Sequence, residues 1–358
     1  MPRRLSTTET ETESESAYTR SVRWLFLSLL ACCGGRTGLG VGSYAGDASP
    51  GQDAGKDGAV GDAAKDATVV LDCATSFVKI ADTEKNPDQI VIDGAFVYWH
   101  DDKGVSRAPK AGGPAQSLAQ TSATSWPTLA SFALSSTDVY FVIGPGQVAM
   151  VSKQGGSVKP IPMPVPDFPG VATSTTMLYA WSTGSPGSLF SATLGGAPGM
   201  PFTPLPAATS KIAIDGAFGY AASNGGVQSI DLVTGKVTYL SGLAASDGAV
   251  DASDVYFTTI DVTNGTAIMR VPKAGGAQSK VRDEKGAYAV ALDATDLYFG
   301  NRLSQSVNKI VGKTSSSVVQ IAALDSTTQP IGIALDDQCV YIAAAPISGT
   351  GAIYAAPK

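Results

Sequence analysis

The chain predicts an all-β fold, a ring of seven similar four-stranded units, on three observations. First, the stretch Val290-Ala291-Leu292-Asp293-Ala294-Thr295-Asp296-Leu297-Tyr298-Phe299 reads as a strand, a polar turn and a second strand, and it recurs seven times. The copies place tyrosines at Tyr98, Tyr140, Tyr179, Tyr220, Tyr256, Tyr298 and Tyr341, spaced by 42, 39, 41, 36, 42 and 43 residues. Second, Asp93, Ser135, Ser174, Asp215, Asp251, Asp293 or Asp336 stands five residues before each tyrosine. Third, short apolar-alternating segments rich in Val, Ile, Tyr, Phe and Thr fill each unit, and no helical pattern of any length interrupts them. A fixed period of about 40 residues with strands in every unit marks a β-propeller, whose sheets repeat radially around a channel.

The elements follow in order. Asp72 to Lys358 is 287 residues, or 41 for each of seven units. In the first unit the pattern predicts an inner strand over Gln89–Asp93, a second over Phe96–Trp99, a third over Val105–Lys110 and an outer one over Ala115–Gln120. Gly112-Gly113 forms the hairpin between the last two, where the backbone must take a positive φ. The fifth unit repeats this almost letter for letter, Arg270-Val271-Pro272-Lys273-Ala274-Gly275-Gly276 echoing Arg107-Ala108-Pro109-Lys110-Ala111-Gly112-Gly113. The seventh unit ends after its third strand, Ala352–Ala356. A spare strand at Ser76–Asp82, before the first unit, is expected to complete it and so to close the ring.

Before the repeats, two segments stand apart, and the chain divides into 1–31, 32–71 and 72–358. Trp24 to Ala31 is an apolar run broken only by Ser28 and preceded by Arg20 and Arg23. That is the layout of an export signal, and it is too short to span a bilayer. Gly34 to Val70 is Gly-, Ala- and Asp-rich with almost no large apolar side chain, so a flexible tether is expected. The spacing of Asp53, Asp57 and Gly58 hints at calcium, but the oxygen-dense loop of an EF-hand is missing, so no cofactor and no metal site are expected.

Four cysteines fall into two groups. Leu29-Leu30-Ala31-Cys32 resembles the lipobox of bacterial lipoproteins. That resemblance implies lipidation at Cys32, with the protein held in the cell envelope, in the periplasm or at the outer membrane or cell surface, through its N-terminal lipid alone. An ordinary signal peptide with incidental Cys32 and Cys33 is the alternative. Cys73 precedes the spare strand and Cys339 lies in the inner hairpin of the same blade, so a disulfide between them is expected, the alternative being two unrelated thiols.

Val97-Tyr98-Trp99-His100-Asp101 and Gly104-Val105-Ser106-Arg107 resemble YWTD- and NHL-type propeller repeats. The resemblance implies a binding platform and brings no catalytic set. The recurrent tyrosines read as packing residues between sheets, and the Asp or Ser before each as an acceptor of turn amides. Function in such a ring is expected on the face made by the loops between second and third strands and between blades. The candidate binding face is therefore His100, Asp101, Asp102, Trp126, Trp181, Asn224, Asp261, Asn264, Asn301 and Arg302. His100 is the one histidine of the chain. With Asp101 and Asp102 it forms the one group resembling a metal or acid–base site, and an exposed loop is the plainer reading. The expected partner is a protein, peptide or glycan. Nucleic acid is disfavoured by the formal net charge of -6, and a monomer is expected. The alternative to a non-enzymatic platform is a lactonase-like hydrolase or lyase with a metal-assisted site near the channel mouth.

Overall fold

The computed structural model describes residues 72–83, 87–101, 103–120, 132–143, 147–164, 170–182, 184, 186–259, 266–347 and 349–358. The leader, the lipobox and the tether lie outside them. Among the described residues, strands alone form the regular structure, and they make seven four-stranded antiparallel sheets.

The first strand in the chain, β1 (Val78–Asp82), belongs to the last blade. Blade 1 is β2 (Gln89–Ile92), β3 (Phe96–Asp101), β4 (Gly104–Pro109) and β5 (Gln116–Gln120); blade 2 is β6 (Ala133–Leu134), β7 (Asp138–Val142), β8 (Val148–Ser152) and β9 (Lys159–Ile161). Blade 3 is β10 (Gly170–Thr173), β11 (Met177–Trp181), β12 (Gly187–Thr193) and β13 (Met200–Leu205). Blade 4 is β14 (Thr209–Asp215), β15 (Phe218–Ser223), β16 (Gly226–Asp231) and β17 (Val237–Ser241). Blade 5 is β18 (Ala245–Val250), β19 (Asp254–Thr259), β20 (Ala267–Pro272) and β21 (Ser279–Asp283). Blade 6 is β22 (Ala287–Leu292), β23 (Leu297–Asn301), β24 (Ser306–Ile310) and β25 (Val318–Ala323). Blade 7 is β26 (Thr328–Leu335), β27 (Cys339–Pro346) and β28 (Ala352–Pro357), completed by β1 in the order β26-β27-β28-β1.

The predicted closure is present. β1 pairs antiparallel with β28, Val78 opposite Ala355 and Asp82 opposite Ala352. Cys73 and Cys339 are joined, their Cα atoms 6.0 Å apart. The chain ends thus meet in one blade, which removes the open edge that an unclosed sheet would offer. Gly112 and Gly113 turn with φ of 89° and 131°, as the hairpin requires.

The seven tyrosines are core residues, none more than 6% exposed. Asp93, Asp251, Asp293 and Asp336 each accept amides of their own turns. Asp93 Oδ1 accepts the amides of Ala95 and Phe96 at 3.0 and 2.9 Å, while its Oδ2 accepts the Tyr98 hydroxyl at 2.8 Å. Asp293 and Asp336 do the same for Tyr298 and Tyr341.

A second partner comes from the next blade. Lys153 Nζ reaches Asp93 at 3.0 Å, Lys313 reaches Asp251 at 2.9 Å, Lys358 reaches Asp293 at 2.9 Å and Lys110 reaches Asp336 at 2.8 Å; Lys273 pairs with Asp215. Several of these ammonium groups also lie over a ring tyrosine, Lys110 5.0 Å from the Tyr341 ring centre and Lys153 5.6 Å from that of Tyr98. Where the turn residue is Ser135 or Ser174, the following blade carries Leu194 or Leu232 in place of the lysine. Those leucines bond through their amides to the same turn carbonyl position, that of Thr176 or Ala217, as Lys110 does to Ala95. Five aspartates are matched by lysines and two serines by leucines, so each seam holds a complete ion pair or none.

Burial pushes the Asp93 carboxyl up, but the amides of Phe96 and Ala95, the Tyr98 hydroxyl and Lys153 outweigh it and hold the group at about 2. Burial likewise pushes Asp251 and Asp336 up, and Lys313 with the amides of Asp254 and Ser253, and Lys110 with Tyr341 and the amides of Cys339 and Gln338, hold them at about 2. Burial and Asp93 together push the Tyr98 hydroxyl up to about 12.

Two predictions follow from closure and clasp. Replacing Cys73 and Cys339 by serine is expected to lower stability by about 2–5 kcal/mol, read from denaturant unfolding under non-reducing conditions; an unchanged midpoint would mean the bond does not constrain the chain. The depressed carboxyls make their contribution fully above about pH 4, the ordinary carboxylate range, and lose it as pH falls towards about 2. Unfolding midpoints should therefore drop across that window, and the drop should shrink in the Asp93→Ser, Lys153→Leu double variant. Asp93→Ser alone should cost about 2–3 kcal/mol by stranding a largely buried lysine, and the double variant should recover part of that.

Candidate functional site

Each second strand runs away from its tyrosine turn and ends on the opposite face, where the hairpin to the third strand begins. The residue three beyond the tyrosine is polar in five blades, and its side chain holds that hairpin. Asp101 Oδ1 accepts the Lys103 amide at 2.9 Å, Ser182 Oγ the Ser188 amide at 2.8 Å and Thr259 Oγ1 the Ala267 amide at 2.9 Å. Ser223 Oγ accepts the Gly225 amide at 3.2 Å and donates to the Gly226 carbonyl at 2.7 Å. Asn301 does most: its Oδ1 accepts the amides of Leu303 and Ser304 at 2.8 and 3.0 Å, and its Nδ2 donates to Glu284 Oε1 and the Lys285 carbonyl at 2.7 and 2.8 Å.

These bonds place the nominated residues differently from the exposed loop the sequence suggested. His100 and Asp101 lie at the end of β3, which runs two residues further than expected, and both are buried, His100 only 1% exposed. The His100 ring is fixed by Nδ1 against Asp88 Oδ1 at 2.7 Å. Burial pushes the Asp101 carboxyl above its ordinary value, against the Lys103 amide and His100, which pull it down. Trp181, expected as an apolar contact near the loops, closes β11 in the core, its Nε1 donating to the Thr209 carbonyl of the next blade at 3.1 Å. Asn301 is buried as well. Asn224 is exposed at the tip of its hairpin. Asp102, Trp126, Asp261 and Asn264 lie outside the described residues.

Arg302 stands apart from the rest of the set. Its guanidinium carbon lies 3.1 Å from the centre of the Tyr288 ring, at the start of the inner strand β22. Its Nε is buried without a hydrogen-bond partner. Tyr288, Glu284 and Gln305, which shape this corner, were absent from the candidate set, because none of them belongs to the second-strand repeat that drew attention to the face. Leu303 and Ile347, 67% and 72% exposed, stand on the hairpins of blades 6 and 7. Among the described residues, no group of three or more His, Cys, Asp or Glu is arranged to hold a metal ion.

No family model matches the chain, and the search of curated proteins found no match. Solved structures do. The WD40 domain of Neurospora crassa Pan2 is similar at 12% identity and a TM-score of 0.62, over 81% of this chain and 98% of that one. A catalytically inactive virginiamycin B lyase from Staphylococcus aureus, solved with quinupristin, is similar at 17% identity and a TM-score of 0.61, over 77% and 97%. The extracellular domain of BT4673 from B. thetaiotaomicron is similar at 12% identity and a TM-score of 0.56, over 78% of this chain, which spans 40% of that one. At such identities the likeness establishes the class, a seven-bladed β-propeller, and nothing narrower.

Asn301→Ala removes four hydrogen bonds at a buried position and is expected to cost about 2–3 kcal/mol in urea unfolding, whereas Asn224→Ala at an exposed tip should stay within about 0.5 kcal/mol. Equal effects would mean that Asn301 does not anchor its hairpin.

Proposed function

We propose that the chain is an exported, lipid-anchored propeller that acts by binding, receiving a peptide or protein on the hairpin face opposite the tyrosine turns. The observation that carries this reading is how the polar side chains of that face are used. Asp101, Ser182, Ser223, Thr259 and Asn301 are each engaged with amides of their own hairpins, so the bases of these hairpins are held by side chains while the sequence of the tips differs from blade to blade. Stiff supports with variable tips suit recognition, because little ordering entropy is spent on binding. A lyase or hydrolase reading would need a general base at the surface, and the chain's one histidine is buried against Asp88.

Export is supported by the leader Trp24–Ala31 and by the Cys73–Cys339 bond, since disulfides persist in oxidising compartments. BT4673, similar in fold, is represented by an extracellular domain. Anchoring rests on Cys32, with the segment 32–71 as the tether that lets the ring stand off the membrane. A glycan is the other ligand class such a face could take.

Photo-crosslinkers placed at Asn224, on the hairpin face, and at Val233, on the tyrosine-turn side, test the reading in intact envelopes. Adducts are expected from position 224 and not from 233; adducts from 233 alone would overturn the choice of face. The Cys32→Ser variant should lose incorporation of an alkynyl fatty acid, and retained label would overturn the anchor.

A further inference from the structure

We infer that Arg302, laid over Tyr288 on the hairpin face of blade 6, is the receptor for a carboxylate on the bound peptide. The inference rests on the binding reading above and gives that site its chemistry.

Four arginines of the repeat domain have side-chain contacts to compare. Arg107 donates Nε and one Nη to Gln116 Oε1 at 3.1 and 2.9 Å, Arg270 donates Nε to Ser279 Oγ at 2.9 Å, and Arg282 donates Nε to Glu284 Oε2 at 2.8 Å. Arg302 differs from all three. Its Nε is buried and unpaired, and among the described residues no carboxylate lies within ion-pair distance of it. The nearby acid on this corner, Glu284, is already engaged by Arg282 and by Asn301. Burial draws the guanidinium partly out of water and only Tyr288 opposes that cost, so a carboxylate meeting the terminal nitrogens of the fork would be favoured.

The group is also held in place for one. The Arg302 amide donates to the Gly286 carbonyl at 2.9 Å, and Gln305 Nε2 donates to the Arg302 carbonyl at 3.2 Å. Gly286 has φ +86°, and a Cβ there would run into Asn301 Oδ1 and Leu303, so the connection between blades 5 and 6 packs directly under the Arg302 hairpin. The Tyr288 ring lies directly against the guanidinium. A planar fork of N–H donors held by an aromatic face matches the two oxygens of a carboxylate better than it matches a single-point acceptor. Leu303, the next residue, and Ile347, on the following blade, are exposed apolar side chains that can take the flanks of a peptide. The carboxylate could come from an acidic side chain or from a small organic acid, and the two sources are separable by experiment.

Calorimetry of the full chain with three probes decides the matter: an acetylated, amidated hexapeptide alternating Glu and Leu, its Gln–Leu counterpart, and glutarate. The Glu peptide is expected to bind the wild type, to bind Arg302→Gln at least about tenfold more weakly, and to bind Arg302→Lys with intermediate strength; the Gln peptide should be weaker by a similar factor on the wild type. Unchanged thermal midpoints confirm that the variants are folded. Glutarate binding with the same Arg302 dependence, without peptide binding, would support the carboxylate receptor while overturning the peptide platform. Equal binding of both peptides, or a Glu peptide indifferent to Arg302→Gln, would overturn the receptor and leave the platform standing.

Discussion

The three-way contact among a turn aspartate, the tyrosine five residues on and a lysine from the next blade governs this ring. Apolar packing between neighbouring sheets drives assembly but is not directional, so it does not by itself set the angle at which one blade meets the next. The clasp does. Asp93 spends one oxygen on its own turn and the other on Tyr98 and Lys153, so a single carboxylate ties turn, sheet and neighbour together. The last link, Lys110 to Asp336, joins residues 226 apart in the sequence and shuts the circle on the same side as the Cys73–Cys339 bond.

The two seams without the clasp show why it behaves as a unit. At Ser135 and Ser174 the hydroxyls still accept turn amides, Asp138 and Met177 at 3.0 Å each, so the turn survives the loss of the carboxylate. The lysine does not survive it. An ammonium against a buried tyrosine with no partner would carry its desolvation cost alone, and leucine occupies the position instead, packed with Tyr140 at Leu194 and with Tyr179 at Leu232. Charge pair and apolar pair are two self-consistent solutions to one geometric problem; a mixture of them is not a solution.

Much of this was legible in the sequence, and the limits have physical causes. The period, the Asp or Ser turns, the Gly-Gly hairpin and the spare strand are local signals, and each appears in the structure. So is the cysteine pair, because its two positions are bracketed by strands of one blade. The lysine clasp is not a local signal because it links different repeats; in the sequence it shows only as Lys110, Lys153 and Lys273 standing where Leu194 and Leu232 stand in other units. His100, Asp101 and Trp181 were read as loop because polarity and aromatic size do not say where a strand stops. β3 continues to Asp101 because that carboxylate itself closes the hairpin, which lets a polar residue finish a strand. The corner around Arg302 was named only in part, since Tyr288 and Glu284 reach it from the preceding connection and inner strand.

The ring's two faces therefore answer to different constraints. On the tyrosine side five turn aspartates are committed to lysines of the neighbouring blade, and a change at one such seam requires a matched change across it, as the Ser–Leu seams display. On the hairpin side the bonds that close each hairpin stay within its blade, as Asn301 Oδ1 does with the amides of Leu303 and Ser304, and the exposed tips Asn224 and Leu303 are outside them. Tips on that side can change singly without disturbing closure. A guanidinium with an unspent donor is tolerable only in such a place, because its cost falls on one hairpin and not on the circle. Arg302 is thus separated from the architecture that carries it, which is the condition for a ring of repeats to acquire a specific ligand at one blade.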